Sequence, residues 1–584
     1  MPTSLVEGNS LLTVDVGATI TRAVLFDVVE GNYRFVAIGQ APTTAEAPFK
    51  DIGLGVREAI ESLQAITGRA CLDRERQLIL PTQADGSGVD AFAATISAGP
   101  SIRTAIVGLL SDVSLESARR LAESTYSHIV ERLDLTDHRR PEEQIDGLLR
   151  ARPDLIVVTG GTDGGAARSI QKMLEAVGLT CYLMPPEKRP AVLFAGNQSL
   201  TEDVQKLMEK LTPALHISPN VRPSLETEDL DPAMNELAHL FTIIRRGQVR
   251  GVDELENWSH GHILPSSYGM GRMVRFLSQL VGSSSGVLGV DVDASAASVA
   301  AGFNGSLSLH TYPQFGVGEN LAGLSQFTQL EDILRWLSLD IHQNAVRDTL
   351  YQKSLYPGSL PATPEERVIE QAITRQALYL AMRAARRDFP PEARSSRPEL
   401  MPFFELIIAG AGVLANSPTP GQSLLLLLDA IQPVGVTHFM LDRDNLLPML
   451  GVAAEQNNLL PVQVLESAAF HNIGSTVSVI SNAAYGTPVL QVRMLYPDKN
   501  EARLEVKYGS LEALPLAFGQ SAELTLRPMH HADVGFGPGR ARTVTVNGGA
   551  LGVVIDARGR PLQLTTDAVR RRELFKKWLW TLGG

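Results

Sequence analysis

Cysteine is almost missing from this sequence: its 584 residues contain two, Cys71 and Cys181. They lie far apart and without metal-ligand spacing, which excludes a disulfide framework and reads both as small buried hydrophobes. An excess of basic charge is missing too. The formal net charge is -12, which argues against nucleic acid as a generic partner, because phosphate backbones select a basic face. Long apolar runs are also lacking. The longest, "FFELIIAGAGVLA" and "LLLLLDAI", are too short or too interrupted to span a bilayer. The opening "MPTSLVEGNSLL" has no basic stretch followed by an apolar core, so no signal peptide is read. A reducing cytoplasm is the expected location.

What is present is an ordinary globular composition, 44% hydrophobic and 20% charged, in a chain too long for one core. Residues 11–16 read as a buried strand. A glycine-containing turn and a second β-run, "RAVLFDVV", follow it. Further strand patterns ("YRFVAIGQA", "RTAIVGLL", "DLIVVTGG", "PAVLFAG") alternate with helical ones ("DIGLGVREAIESLQAITG", "LESARRLAESTYSHIVERL", "GAARSIQKMLEAVG"). Such alternation predicts an α/β domain with a largely parallel sheet. After about residue 280 the same grammar restarts with "GVLGVDV", a turn and "SVAAGFNGSLSLHTY". A long helical stretch comes next, then "FELIIAGAG" and the helix pattern "PGQSLLLLLDAIQ". The chain therefore reads as two similar α/β halves.

From about residue 472 the pattern turns β-rich, which predicts an appended antiparallel domain or barrel. The end, "DAVRRRELFKKWLWTLGG", places Leu574, Phe575, Trp578, Leu579 and Leu582 on one helical face with Arg and Lys opposite. The expected divisions are 1–280, a first half with an inserted α/β segment; 281–470, a second half; 471–566, the β-rich domain; and 567–584, a packed amphipathic helix. His530 and His531 alternate faces if they lie on a strand, so a loop or surface role is expected for them.

Three stretches carry candidate chemistry. In "VDVGATITRAVLF", Asp15, Gly17, Ala18, Thr19 and Thr21 form a D-x-G-x-T-x-T turn. Gly17 lets backbone approach an anion, the threonine hydroxyls donate, and Asp15 sits where a hydrated Mg²⁺ would bridge to phosphate. The same residues also suit an ordinary hairpin. In "DLIVVTGGTDGGAARSI", Gly160, Gly161, Thr162, Asp163 and Gly164 link a strand to a helix and can aim amides at an anion. A tight turn with an Asp cap explains them without a ligand. In "LIIAGAGVLANSP", Gly410 and Gly412 suit a flat base against backbone, or close helix–strand packing through small residues.

Together with "GQAPTTAEAPFKDIGLGVREAI" and "QPVGVTHFMLDRDNLLPMLG", these stretches resemble the actin/Hsp70/sugar-kinase superfamily. Within it, residues 10–460 are similar to the glutamate-mutase-associated MutL family. The resemblance implies two ribonuclease-H-like halves that close on ATP with Mg²⁺, with Asp15 and Asp291 as metal-side carboxylates. It also implies a chaperone or reactivating role beside a cobalamin-dependent mutase.

Asp15, Gly17, Thr19 and Thr21 match the family's first phosphate loop, and Gly160 to Gly164 its central glycine motif. The second phosphate loop departs. The family's D-V-G-G-A-T-T-D is "DVDASAAS" here, with only Asp291 and Val292 kept. The base-proximal I-G-T-G-G is Ile408-Ala409-Gly410-Ala411-Gly412. Asp293 places negative charge where an outer phosphate belongs, and Ala296 and Ala297 remove hydroxyl donors, so hydrolysis should be suppressed. The expected protein is thus a weak or inactive ATPase serving as a scaffold or assembly subunit, alone, as a homo- or hetero-oligomer, or with a related protein. The alternative is an active ATP-dependent reactivating factor for such a mutase.

Overall fold

The computed structural model describes residues 9–282, 285–393, 397–410 and 412–583. β1 (Leu11–Val16), β2 (Ile20–Val29) and β3 (Asn32–Pro42) make an antiparallel meander, and β4 (Ala91–Ile96) joins β1 in parallel. Every residue of β1 is buried, as expected of a mostly apolar strand flanked on both sides, and the burial includes the polar Thr13 and Asp15. Helix α1 (Ile52–Thr67), capped by Asp51, crosses β3 so closely that a Cβ on Gly39 would lie 2.1 Å from the Ala59 carbonyl.

The chain then leaves this sheet for β5 (Ile102–Val107), β6 (Ser127–Leu133), β7 (Leu155–Val158), β8 (Ala191–Phe194) and β9 (Leu215–Ile217). They form a second, all-parallel sheet in the order β6-β5-β7-β8-β9. α2 (Ser114–Glu123), α3 (Pro141–Ala151), α4 (Ala167–Leu183), α5 (Thr201–Met208) and α6 (Asp231–Gln248) connect and follow these strands. This is the doubly wound order of flavodoxin-like folds. α7 (Val252–Ser259) leads back to β10 (Ile263–Pro265), which completes the first sheet as β10-β4-β1-β2-β3. α8 (Ser266–Ser278) follows. One expectation fails here. The stretch Leu115–Leu133 is not one helix, because Ser127–Leu133 forms strand β6. Its β-branched Ile129 and Val130 suit the pleat, and pairing with β5 overrides the helical spacing.

The second compact unit comprises Met270–Ser308, Gln314–Leu447 and Val464–Gly584, the rest belonging to the first. β11 (Gly286–Val292), β12 (Ala297–Phe303) and β13 (Ser306–Tyr312) open its sheet. After a helical excursion that includes Pro364–Ala385, β14 (Phe404–Ala409) and β15 (Gly435–Leu441) continue it. The order β13-β12-β11-β14-β15 repeats β3-β2-β1-β4-β10 of the first unit. The duplication read from sequence is therefore a duplicated topology, and the fold is that of two actin-like halves.

The β-rich end is divided. β16 (His471–Ser478) extends the second sheet. β17 (Pro488–Leu495), β18 (Glu501–Lys507), β20 (Ser521–Pro528) and β21 (Arg542–Asn547) form a separate antiparallel sheet. β19 (Leu511–Leu514) and β22 (Val553–Asp556) return to the larger one. Alternating apolar side chains are the reason for the layering: Leu490, Val492, Leu524, Leu526 and Val546 share one core with Val477, Val553 and Ile555. His530 and His531 sit in the turn after β20, both at positive φ.

The C-terminal helix Ala568–Thr581 is anchored by a charged cluster. Asp429 on helix Pro420–Ile431 meets Arg375 (3.0 Å) and Arg558 (2.6 Å), and Asp556 meets Arg558 (2.9 Å) and Arg560 (2.6 Å), all buried. Burial alone would raise the Asp556 carboxyl pKa, but Arg558 and Arg560 hold it well below the usual carboxylate range. The Arg558 guanidinium lies 4.8 Å from the Trp578 ring centroid and that of Arg375 lies 5.7 Å from Phe575. Removing one member of such a buried set leaves an uncompensated charge and costs about 3–5 kcal/mol.

Candidate functional site

The β1–β2 turn runs from Gly17 to Ile20 and is closed by Gly17 N–H donating to the Ile20 carbonyl (3.1 Å). A Cβ on Gly17 would stand 2.6 Å from that oxygen, so glycine keeps this turn tight and its face bare. Strand register builds the surroundings of Asp15. β2 places Arg22 opposite it, and β4 places Thr95 beside it. The Thr95 and Ser266 hydroxyls both donate to Asp15 Oδ1 at 2.8 Å. Arg22 Nη1 lies 3.7 Å from Oδ2. Asp15 is thus buried, oriented and matched by a guanidinium.

Behind the turn, Thr43 donates from its hydroxyl to the Gly17 carbonyl (2.7 Å) and from its amide to the Thr19 carbonyl (3.0 Å). Thr21 and Thr43 hydroxyls pair at 2.9 Å. Thr43 belongs to the distinctive "APTTAEAP", so that stretch braces the phosphate-loop candidate. The sequence alone does not single out Arg22, Thr43, Thr95 or Ser266 as site residues. Only the strand register reveals Arg22 and Thr95, while Thr43 and Ser266 are distant in sequence.

The β11–β12 turn has the same backbone closure, Asp293 N–H to the Ala296 carbonyl at 3.0 Å. Its chemistry differs. Asp293 Oδ1 accepts from the Ser295 amide (2.7 Å), the Ser295 hydroxyl (2.8 Å) and the Ala296 amide (2.8 Å). Donors that a phosphate-binding turn aims at its ligand are here taken by the turn's own carboxylate. Opposite Asp291 stands Ser298. A Cβ on Gly410 would lie 3.0 Å from Asp291 Oδ1, so the base-loop glycine candidate packs against the second-turn aspartate. Gly412 adopts φ +69°, and Ala411 lies outside the described residues.

The glycine motif occupies another place: the carboxyl end of β7, in the inserted parallel sheet and not in the sheet of Asp15. Gly160 and Gly161 have φ of +121° and +71°. Cβ atoms there would meet Leu109 at 3.0 Å and Ile170 at 2.7 Å, so both serve close packing. Asp163 Oδ1 accepts from the Gln198 amide (3.1 Å) and Asn220 Nδ2 (2.9 Å). The amides of Asp163, Gly164 and Gly165 donate to the Pro223 carbonyl, Asn197 Oδ1 and the Thr162 carbonyl. The motif is a clasp joining three loops at the end of the sheet where doubly wound folds place ligands. Three of its amides are already paired within the chain.

A family model described as MutL protein matches residues 11–469. Protein MutL of Clostridium tetanomorphum is 24% identical over 276 residues, 46% of this chain and 52% of that protein. The match thus spans about half the length of this curated relative. Among solved structures, a glycerol dehydratase reactivase aligns at 12% identity and TM-score 0.30, over 77% of this chain and 100% of that one. A gluconate kinase from Lactobacillus acidophilus aligns at 12% identity and TM-score 0.30, over 80% and 93%. Likeness this loose does not bear on function. Among the described residues no helix is long and apolar enough to cross a membrane.

Proposed function

The chain belongs to the MutL protein family, and from that premise we propose that it is a nucleotide-binding member with weak or absent hydrolysis, acting as a scaffold or assembly subunit. One observation carries this reading: the Asp293 carboxylate takes the Ser295 and Ala296 amides of the second turn. An outer phosphate brought to that turn meets a fixed negative charge instead of free donors, and phosphoryl transfer depends on the reverse arrangement.

The first turn is suited to a phosphate. Gly17 leaves the backbone bare and Thr19 keeps its hydroxyl at the turn, while the buried Thr21 hydroxyl donates to Thr43 and braces the turn from behind. Mg²⁺ would screen the phosphate charge there. Asp15 already carries two hydroxyl donors and a nearby Arg22, so it would hold the ion through the ion's own water shell. ATP is accordingly expected to bind mainly through the first half. The glycine motif on the inserted sheet is not required for this.

The second reading is an active, ATP-dependent reactivating factor for a cobalamin-dependent mutase. The intact first turn with its oriented Asp15 favours it. Nucleotide binding and phosphate release by the purified protein in Mg²⁺ separate the two readings. Binding without turnover, weakened by Asp15→Ala, is expected. Robust turnover abolished by Asp15→Ala would overturn the scaffold reading.

A further inference from the structure

The inner face of the C-terminal helix is fully used, since Phe575, Trp578 and Leu582 are buried. Its outer face is not. Val569, Arg570, Glu573, Lys576, Lys577 and Trp580 are exposed and fall at helical spacing on one stripe. Trp580 is 84% exposed and Val569 59%. Arg570 lies 5.5 Å from the ring centroid of Tyr485, itself 50% exposed, which extends the stripe with a second aromatic. Trp, Tyr and Arg are the side chains that anchor protein interfaces. The helix carries five basic residues and one acidic residue, in a chain whose net charge is -12. Only Val569 and Trp580 supply apolar area on this face, too little to seat a helix in a bilayer.

A complementary surface exists on the same chain. Between β9 and α6, "SLETEDLD" (224–231) exposes Glu226, Glu228 and Asp229 beside Leu225, which is 61% exposed. This loop is ordered. Arg120 and Arg222 hold Glu228 at 2.6 and 3.2 Å, Arg222 Nη1 donates to the Leu225 carbonyl (3.1 Å), and the Asp229 amide donates to the Val221 carbonyl (2.9 Å). It presents acid and an apolar side chain at little ordering cost.

We propose that the outer face of the C-terminal helix of one molecule docks on the acidic loop 224–231 of a second copy of this chain. Lys576 and Lys577 face Glu226 and Asp229, and Trp580 covers Leu225. The contact joins two different patches, the heterologous kind that links copies head to tail. It does not depend on nucleotide turnover.

The test is sedimentation of the full-length protein across concentration. Wild type should associate at low salt and dissociate at about 1 M salt, where the screening length is about 3 Å. Lys576→Glu/Lys577→Glu and, separately, Glu226→Lys/Asp229→Lys should each weaken self-association at least about tenfold, as close charge pairs across interfaces do. Mixing these two variants should restore a salt-sensitive complex, because each then offers what the other needs. Restoration also shows that both variants fold. A monomeric wild type, association indifferent to either substitution pair, or a mixture that fails to associate overturns the proposal. So does a monomeric wild type that binds phosphatidylserine vesicles through Lys576 and Lys577.

Discussion

The two halves of this chain carry the same turn with opposite contents. In both, a first-strand aspartate precedes a four-residue closure, Gly17 to Ile20 in one and Asp293 to Ala296 in the other. Position by position, Gly17 corresponds to Asp293, Thr21 to Ala297 and Arg22 to Ser298, and where Thr95 lies beside Asp15, Gly410, the residue after β14, packs against Asp291. The first half keeps a bare turn and surrounds Asp15 with donors. The second keeps the backbone geometry and supplies its own anion. Fold and chemistry have therefore separated. Main-chain bonds close the turn in either case, so the loop's shape survives after its ligand-facing groups change.

The largest effect is expected from making the first turn like the second. Gly17→Asp introduces a Cβ where only 2.6 Å is free to the Ile20 carbonyl, and a carboxylate where phosphate would lie. Nucleotide affinity, measured by calorimetry, should fall by at least about 100-fold, or about 2.7 kcal/mol. Unchanged affinity would mean that this turn does not contact nucleotide.

The reverse change has a smaller expected effect. Asp293→Gly combined with Ala296→Thr and Ala297→Thr frees the second-turn amides and restores hydroxyls. It should raise phosphate release above wild type. It should also lower stability by about 1–3 kcal/mol, since three hydrogen bonds accepted by one carboxylate are lost. Thermal melting and phosphate release read the two consequences separately. No gain in turnover from a folded variant would show that the second turn is not what limits hydrolysis.

Much of this contrast was legible in the sequence. The strand–turn–strand spelling at Asp15 and at Asp291 located both turns, and the restart after residue 280 revealed the duplication. Side-chain partners were not legible. Thr95 and Ser266 reach Asp15 from 80 and 251 residues away, through a register that periodicity does not encode. The glycine motif shows a different limit. Its spelling fits an anion cradle and a packing turn equally well, and nothing in it foretells that the Asp163, Gly164 and Gly165 amides pair within the chain. β16 reads as part of the appended β-rich region because its alternation resembles that of β17. Its pairing with β15 and β22, not its composition, assigns it to the larger sheet.

The two halves also differ in what anchors them, and acid should expose the difference. At the base of β1, Asp90 accepts from the Ser10 amide (2.8 Å), the Ser10 hydroxyl (2.9 Å) and the Thr82 amide (3.2 Å). Burial opposes ionisation of Asp90, but these bonds outweigh it and lower the pKa. Asp556, at the end of β22, is held much lower by Arg558 and Arg560. Both folded pKa values are depressed, so both contributions are complete above the unfolded value of about 3.9 and are lost as pH falls through the folded one. The Asp90 window lies below that of ordinary aspartate, and the Asp556 window lies further below it. As pH falls below about 4, amide exchange at β1 should therefore accelerate before exchange at β22. Simultaneous loss of protection in both strands would instead mean that the halves unfold as one cooperative body, with neither carboxylate setting the order.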